Sequence, residues 1–261
     1  MPHIAFSGSI GFDLYVKKNN ADVYAGSFIP DVDITDGFER SVTFENDGIN
    51  EVTINFPLYS GVSELLVGVE ENAVIEETDG YKIATPIVYY GSSITQGGCA
   101  SRPGNSYQAI ISREFDCDYI NLGFSGNAKA EKEMIDYIKN LDMPVFVYDY
   151  DHNAPDAEHL EKTHEKGFKE IRKQNPDLPI IIMSRPKYYL NGDEIKRLEI
   201  IKKTFDNAVS GGDKNVYFID GKMLMNKAKD NGTVDNCHPN DFGFYSMAEA
   251  VTKVLKTIIT K

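Results

Sequence analysis

The sequence is short of basic residues, short of cysteine and without any long apolar run, and each shortage closes off a class of function. Lys and Arg number 27 against 40 Asp and Glu in 261 residues, a formal charge of −13. Nucleic acid and anionic membrane surfaces are therefore not expected as partners, because both demand basic patches. The deficit places no bar on a neutral substrate such as a sugar ester. The three cysteines, Cys99, Cys117 and Cys237, are too few and too far apart for a disulfide framework, and no metal-ligand spacing is present. No apolar stretch approaches the roughly 20 residues of a membrane-spanning helix. The start, Met1-Pro2-His3-Ile4-Ala5, lacks a basic region followed by an apolar core, so no signal peptide is expected and the default reading is a cytoplasmic protein.

What is present belongs to an ordinary globular protein, 41% hydrophobic and 26% charged. The length suits one large domain, or a medium domain with a small one. Residues 1–84 and 85–261 read differently. The first part carries short alternating runs at Phe12–Val16, Val23–Ile29, Val52–Leu58 and Leu65–Val69, separated by turn clusters such as Lys18-Asn19-Asn20 and Asn46-Asp47-Gly48. That spacing predicts a small antiparallel β-sandwich-like segment. The second part alternates strand patterns (86–90, 119–122, 145–148, 180–183, 216–219) with helical ones (106–115, 131–141, 157–174, 194–209, 245–259). Such alternation predicts a parallel sheet with helices on both faces. Glu76-Glu77-Thr78-Asp79-Gly80 reads as the hinge between the two parts. An edge strand in a small sandwich needs cover, so dimerisation through that edge is expected.

Two stretches carry chemistry. Tyr90-Gly91-Ser92-Ser93-Ile94-Thr95-Gln96-Gly97 follows the apolar run Ile87–Tyr90. A serine there sits at the carboxyl end of a parallel strand, where open α/β sheets place their sites. Far downstream, Asp235-Asn236-Cys237-His238-Pro239 offers an acid and a histidine three positions apart. A serine hydroxyl needs a base within reach. A carboxylate beside that base can hold its tautomer and stabilise the imidazolium. Ser92 and Ser93 compete as nucleophile on this reading, and either also suits a turn or a helix cap. Asn240 and Asp241 equally suit a cap of the last helix.

Gly91-Ser92-Ser93-Ile94 resembles the Gly-Asp-Ser-Leu block of the SGNH/GDSL hydrolases, with Ser92 in the Asp place. Asn121-Leu122-Gly123-Phe124-Ser125-Gly126-Asn127 is similar to the second block of that family. Asp149-Tyr150-Asp151-His152-Asn153 is similar to the third, although the usual Gly-x-Asn-Asp is missing. Asp235-x-x-His238 matches the last. The resemblance implies a three-layer α/β/α domain with a flavodoxin-like parallel sheet, and ester hydrolysis with no cofactor and no metal. It implies Ser93, His238 and Asp235 as the triad. It also implies Gly126 and Asn153 as partners of the Ser93 N–H in an oxyanion hole, and a carbohydrate or other small acyl ester as substrate, acetyl first. Gly11-Phe12-Asp13-Leu14-Tyr15 resembles the Gly-x-Asp-Leu-Tyr signature of a β domain that precedes some of these enzymes, here in a shortened form.

Other residues are read beside that resemblance. Arg102, Arg185 and Tyr188 are candidates to line a substrate pocket through donors and an aromatic face. Asp149, Asp151, His152, Asp156 and His159 form a dense cluster that could suit a metal, but solvation of an acidic loop explains it as well. Rival functions are a thioesterase or lysophospholipase of the same fold, an inert glycan-binding protein, and a phosphoesterase using that cluster.

Overall fold

The computed structural model describes residues 3–45 and 48–259. Asn46 and Asp47 of the expected turn, and Met1-Pro2 of the leader reading, lie outside the described residues.

The N-terminal part is a single antiparallel sheet. After a helical turn, α1 (Phe6–Ser9), come β1 (Phe12–Lys18), β2 (Ala21–Phe28) and β3 (Val52–Asn55), ordered β2-β1-β3. β1 is the central strand and is buried from Phe12 to Val16. Phe38 and Phe56 pack on Phe12. Asp13 and Tyr15 face the α/β unit, where Arg102 and Gly104 meet them. The Leu65–Val69 strand expected from alternation does not form. Both edges of β1 are already taken, and a strand without a neighbour leaves its backbone groups unpaired. Leu66 and Val74 are 82% and 81% exposed in this irregular stretch.

The second part runs β4 (Ile83–Gly91), α2 (Ser93–Gln96), α3 (Tyr107–Phe115), β5 (Cys117–Gly123), α4 (Lys132–Ile138), β6 (Phe146–Asp149), α5 (Ala157–Gln174), β7 (Ile180–Met183), α6 (Gly192–Ser210), β8 (Val216–Ile219), α7 (Gly221–Leu224) and α8 (Asp241–Ile259). The five strands are parallel in the order β5-β4-β6-β7-β8, which is 2-1-3-4-5 in strand sequence. That is the flavodoxin-like order, and its switch point lies beside the first strand, here β4.

The central strands read as continuous apolar runs because both of their faces are covered. Successive side chains alternate between faces. Ile87, Tyr89, Val147 and Ile181 pack under Phe244, Met247, Val251 and Leu255 of α8. Val88, Tyr90, Phe146, Tyr148 and Ile182 pack under Leu160 and Phe168 of α5 and Ile201 of α6. Each such fully buried aliphatic side chain contributes about 1.5–3 kcal/mol. The carboxyl end of β4 is thereby held rigid. No helix among the described residues is long and apolar enough to cross a membrane.

Candidate active site

β4 ends where only glycine fits. A Cβ on Gly91 would lie 2.1 Å from both the Asp149 carbonyl oxygen and Thr95 Oγ1. The chain then turns into the single helical turn α2. Ser92 caps it, its Oγ accepting a 3.1 Å bond from Ile94 N–H. Ser93 Oγ lies 2.9 Å from His238 Nε2. The two serines are thus separated by geometry: one hydroxyl closes the turn and the other faces the histidine.

His238 is held by the loop before α8. Val234 N–H donates to the His238 carbonyl, and Asp235 Oδ1 accepts from Cys237 N–H at 3.0 Å and His238 N–H at 2.7 Å. Asp235 Oδ2 is 2.7 Å from His238 Nδ1. Burial pushes the Asp235 carboxyl up, but hydrogen bonds from the His238 side chain and backbone outweigh it, and the net shift is downward. An ionised carboxylate can only accept, so Nδ1–H is the donor and the Nε2 lone pair faces Ser93. The expected cap also forms, with Gly243 N–H donating to Asn240 Oδ1.

Gly126 adopts φ +72°, the left-handed region that glycine enters without strain. Among the described residues neither the Ser93 N–H nor the Gly126 N–H donates to a protein acceptor. Gln96 fixes the intervening loop, its Oε1 accepting from Ser125 N–H and its Nε2 donating to the Leu58 carbonyl. Asn153 sits on a 3₁₀ turn after β6, and one Nδ2 hydrogen goes to the Phe124 carbonyl at 2.7 Å. Its second amide hydrogen has no protein acceptor among the described residues.

The acidic cluster around that turn disperses into separate structural roles. Asp149, buried, accepts from Thr95 Oγ1, and burial raises its carboxyl well above the usual range. Asp151 is clamped by Arg185 and Arg197, Asp156 caps α5, and His159 Nε2 lies 2.9 Å from the Lys129 carbonyl. His152 Nδ1 lies 3.5 Å from Cys237 Sγ, and among the described residues no three ligand atoms of this cluster converge.

Arg102 and Arg185, expected at a substrate pocket, have their guanidinium groups engaged inside the protein. Arg102 binds Asp13 and Tyr15 and lies 3.9 Å from the Tyr24 ring centroid. Arg185 binds Asp151 and Glu194. Tyr188 lies among Tyr189, Lys222 and Lys229. Two residues that sequence reasoning missed do reach the site, both from the N-terminal part. Tyr59 donates from its hydroxyl to the Ser93 carbonyl at 3.1 Å. His3 places Nε2 3.5 Å from Asp235 Oδ2, with ring centroids 5.3 Å from His238. Neither carries a sequence signal, since each meets its partner only through long-range packing.

Residues 84–256 match the family described as GDSL-like lipase/acylhydrolase, and residues 1–75 match the N-terminus of SGNH-hydrolase-type esterases. No curated protein matches. Among solved structures, a protein from Bacteroides ovatus ATCC 8483 described as a GDSL-like lipase is 30% identical with TM-score 0.87, covering 100% of this chain and 78% of that one. The salicylyl-acyltransferase SsfX3 from a tetracycline biosynthetic pathway is 17% identical with TM-score 0.71, covering 95% and 73%. A family 2 carbohydrate esterase with a carbohydrate-binding domain, from Corynascus thermopiles (Myceliophthora fergusii), is 15% identical with TM-score 0.62, covering 98% and 88%. The last two likenesses concern the fold.

Proposed function

The chain belongs to the GDSL-like lipase/acylhydrolase family and is an ester hydrolase, and we propose that it removes short acyl groups, acetyl first, from carbohydrate esters through an acyl-serine intermediate. The observation that carries the mechanism is the unbroken chain Ser93 Oγ–His238 Nε2–His238 Nδ1–Asp235 Oδ2, with links of 2.9 and 2.7 Å. Ser93 Oγ attacks the ester carbonyl carbon as Nε2 takes its proton. Asp235 holds the imidazolium in place. The carbonyl oxygen, now an oxyanion, is met by the Ser93 and Gly126 N–H groups and by the amide of Asn153. Each such donor is worth about 2.7–4 kcal/mol in the transition state. His238 then protonates the departing sugar oxygen. In the second half a water, deprotonated by the same Nε2, releases the acid and regenerates Ser93. Only neutral imidazole can start the cycle.

The carbohydrate assignment is supported by carbohydrate esterases sharing the fold and by the lack of a long apolar segment suited to covering a lipid chain. We read residues 1–84 as an accessory β unit and 85–261 as the catalytic unit. The test is threefold. A fluorophosphonate should add once, on the peptide bearing Ser93. Ser93→Ala should abolish hydrolysis of nitrophenyl acetate while Ser92→Ala retains it. Acetylated oligosaccharide should turn over faster than nitrophenyl esters of long-chain acids. Labelling of another residue, or no labelling of a folded protein, overturns the reading.

A further inference from the structure

Three residues of different origin converge beside the triad. His3 comes from the start of the chain, Cys99 from the loop after α2, and His238 from the loop before α8. Each offers one metal-ligating atom, and these atoms all lie within 4.8 Å of one another. Cys99 is 6% exposed, and its N–H is tied to the Pro239 carbonyl, which fixes the thiol next to the His238 loop. His3 Nε2 is buried without a hydrogen bond, its contact with Asp235 Oδ2 being 3.5 Å long, and a closer partner would satisfy it better.

We propose that His3, Cys99 and His238 form a binding site for zinc, and that zinc bound there shuts the enzyme off. Two imidazoles and a thiolate are a donor set for a borderline-soft divalent ion, not for calcium or magnesium. Zinc bonds of about 2.0–2.3 Å place tetrahedral donors about 3.3–3.6 Å apart, within a side-chain rotation of the observed spread. His238 is already prepared as a ligand. Asp235 accepts its Nδ1–H, fixing the tautomer with the lone pair on Nε2, on the Ser93 side, and that carboxylate–histidine pairing is the usual support behind a metal-bound imidazole. The Cys99 S–H proton leaves to solvent as the Zn–S bond forms. A metal on Nε2 occupies the lone pair that would take the Ser93 proton. Zinc would therefore act as an inhibitor that a chelator removes.

The inhibitory half rests on the serine-esterase reading, but the binding half does not, and the experiment keeps them apart. Equilibrium dialysis against zinc is run on the full chain and on Ser93→Ala, which needs no turnover. One zinc per chain is expected in both. His3→Ala and Cys99→Ala should each weaken binding at least about tenfold, the lower figure seen even for loss of a group behind a ligand. Cobalt(II) in place of zinc should give a near-ultraviolet sulfur-to-metal band that Cys99→Ala abolishes. His3→Ala lies on the terminal segment and tests the site without disturbing the buried Cys99. Affinity unchanged in either variant, or no zinc retained by the full chain, overturns the site. Zinc retained without inhibition of ester hydrolysis overturns the shut-off.

Discussion

The carboxylate of Asp13 accepts a 2.8 Å hydrogen bond from Arg102 Nη1, joining the centre of the N-terminal sheet to the loop that follows the nucleophile. Asp13 is fully buried, and its carboxylate also accepts from Gly104 N–H at 2.9 Å and Asn55 Nδ2 at 2.8 Å. Gly104 has no room for a side chain, since a Cβ there would lie 2.6–2.7 Å from Tyr15 and Asp13. The Gly-x-Asp-Leu-Tyr segment is therefore a lock, its Asp and Tyr both gripping one arginine.

Removing one partner of a buried pair leaves the other charge uncompensated. Asp13→Ala is expected to destabilise the protein by about 3–5 kcal/mol. Arg102→Ala should cost less, because the Arg102 side chain is 21% exposed and Asp13 keeps two other donors. Urea unfolding of the two variants gives the ranking; equal and small losses would mean the lock contributes little.

The Tyr59 hydroxyl reaches the backbone of the nucleophile itself. Burial pushes its phenol up to about 12, so it stays a neutral donor to the Ser93 carbonyl at working pH. Tyr59→Phe deletes one hydrogen bond, about 0.5–1.5 kcal/mol of stability. Because that bond steadies the turn carrying Ser93, kcat should drop severalfold while KM changes little. Steady-state kinetics on nitrophenyl acetate checks it, and a KM-only effect would place Tyr59 at the substrate instead.

Much of this was legible in the sequence, for physical reasons that also mark where it stopped. Ile87–Tyr90 and Ile180–Met183 read as strands because both faces are buried, and α5 ended at its expected residues, capped by Asp156. Leu65–Val69 misled because alternation encodes two faces but says nothing about whether a neighbouring edge exists. Ser92 and Ser93 were equivalent as letters and differ only in which hydroxyl caps α2. Arg102 looked like a pocket residue because a sequence cannot show that Asp13, 89 positions away, claims it. His3 and Tyr59 were silent for the same reason.

One half-buried histidine, His152, and one buried histidine, His164, make stability depend on pH. Burial lowers His152 to about 3 and His164 to about 4, from 6.5 in the unfolded chain. As pH falls, the unfolded chain binds these protons first. The stabilising contribution is complete above about pH 6.5 and is lost as pH drops toward 4 for His164 and 3 for His152. Each proton steepens the loss by about 1.4 kcal/mol per pH unit. His164 bonds Thr204 and stacks on Tyr148, remote from the triad. His164→Asn should flatten the fall in unfolding free energy between about pH 6 and 4.5 by close to one proton's worth. An unchanged slope would mean His164 is protonated in the folded protein.

The N-terminal sheet should stay docked after its tether is cut. Residues 62–82 have no regular structure, and Leu66, Val74 and Ile75 are strongly exposed, so a protease should cut there first. The sheet, however, is held by more than that tether. Arg102 binds Asp13 and Tyr15, Gln96 binds the Leu58 carbonyl, and Tyr59 binds Ser93. These ties lie on the nucleophile's own loop, so releasing the sheet should loosen the turn that aims Ser93. Limited proteolysis followed by size-exclusion chromatography should give two fragments that elute together and retain activity, and mild urea should release the small fragment and abolish activity in step. A large fragment beginning near residue 84 that separates cleanly and remains fully active would show the sheet to be an appendage with no part in shaping the site.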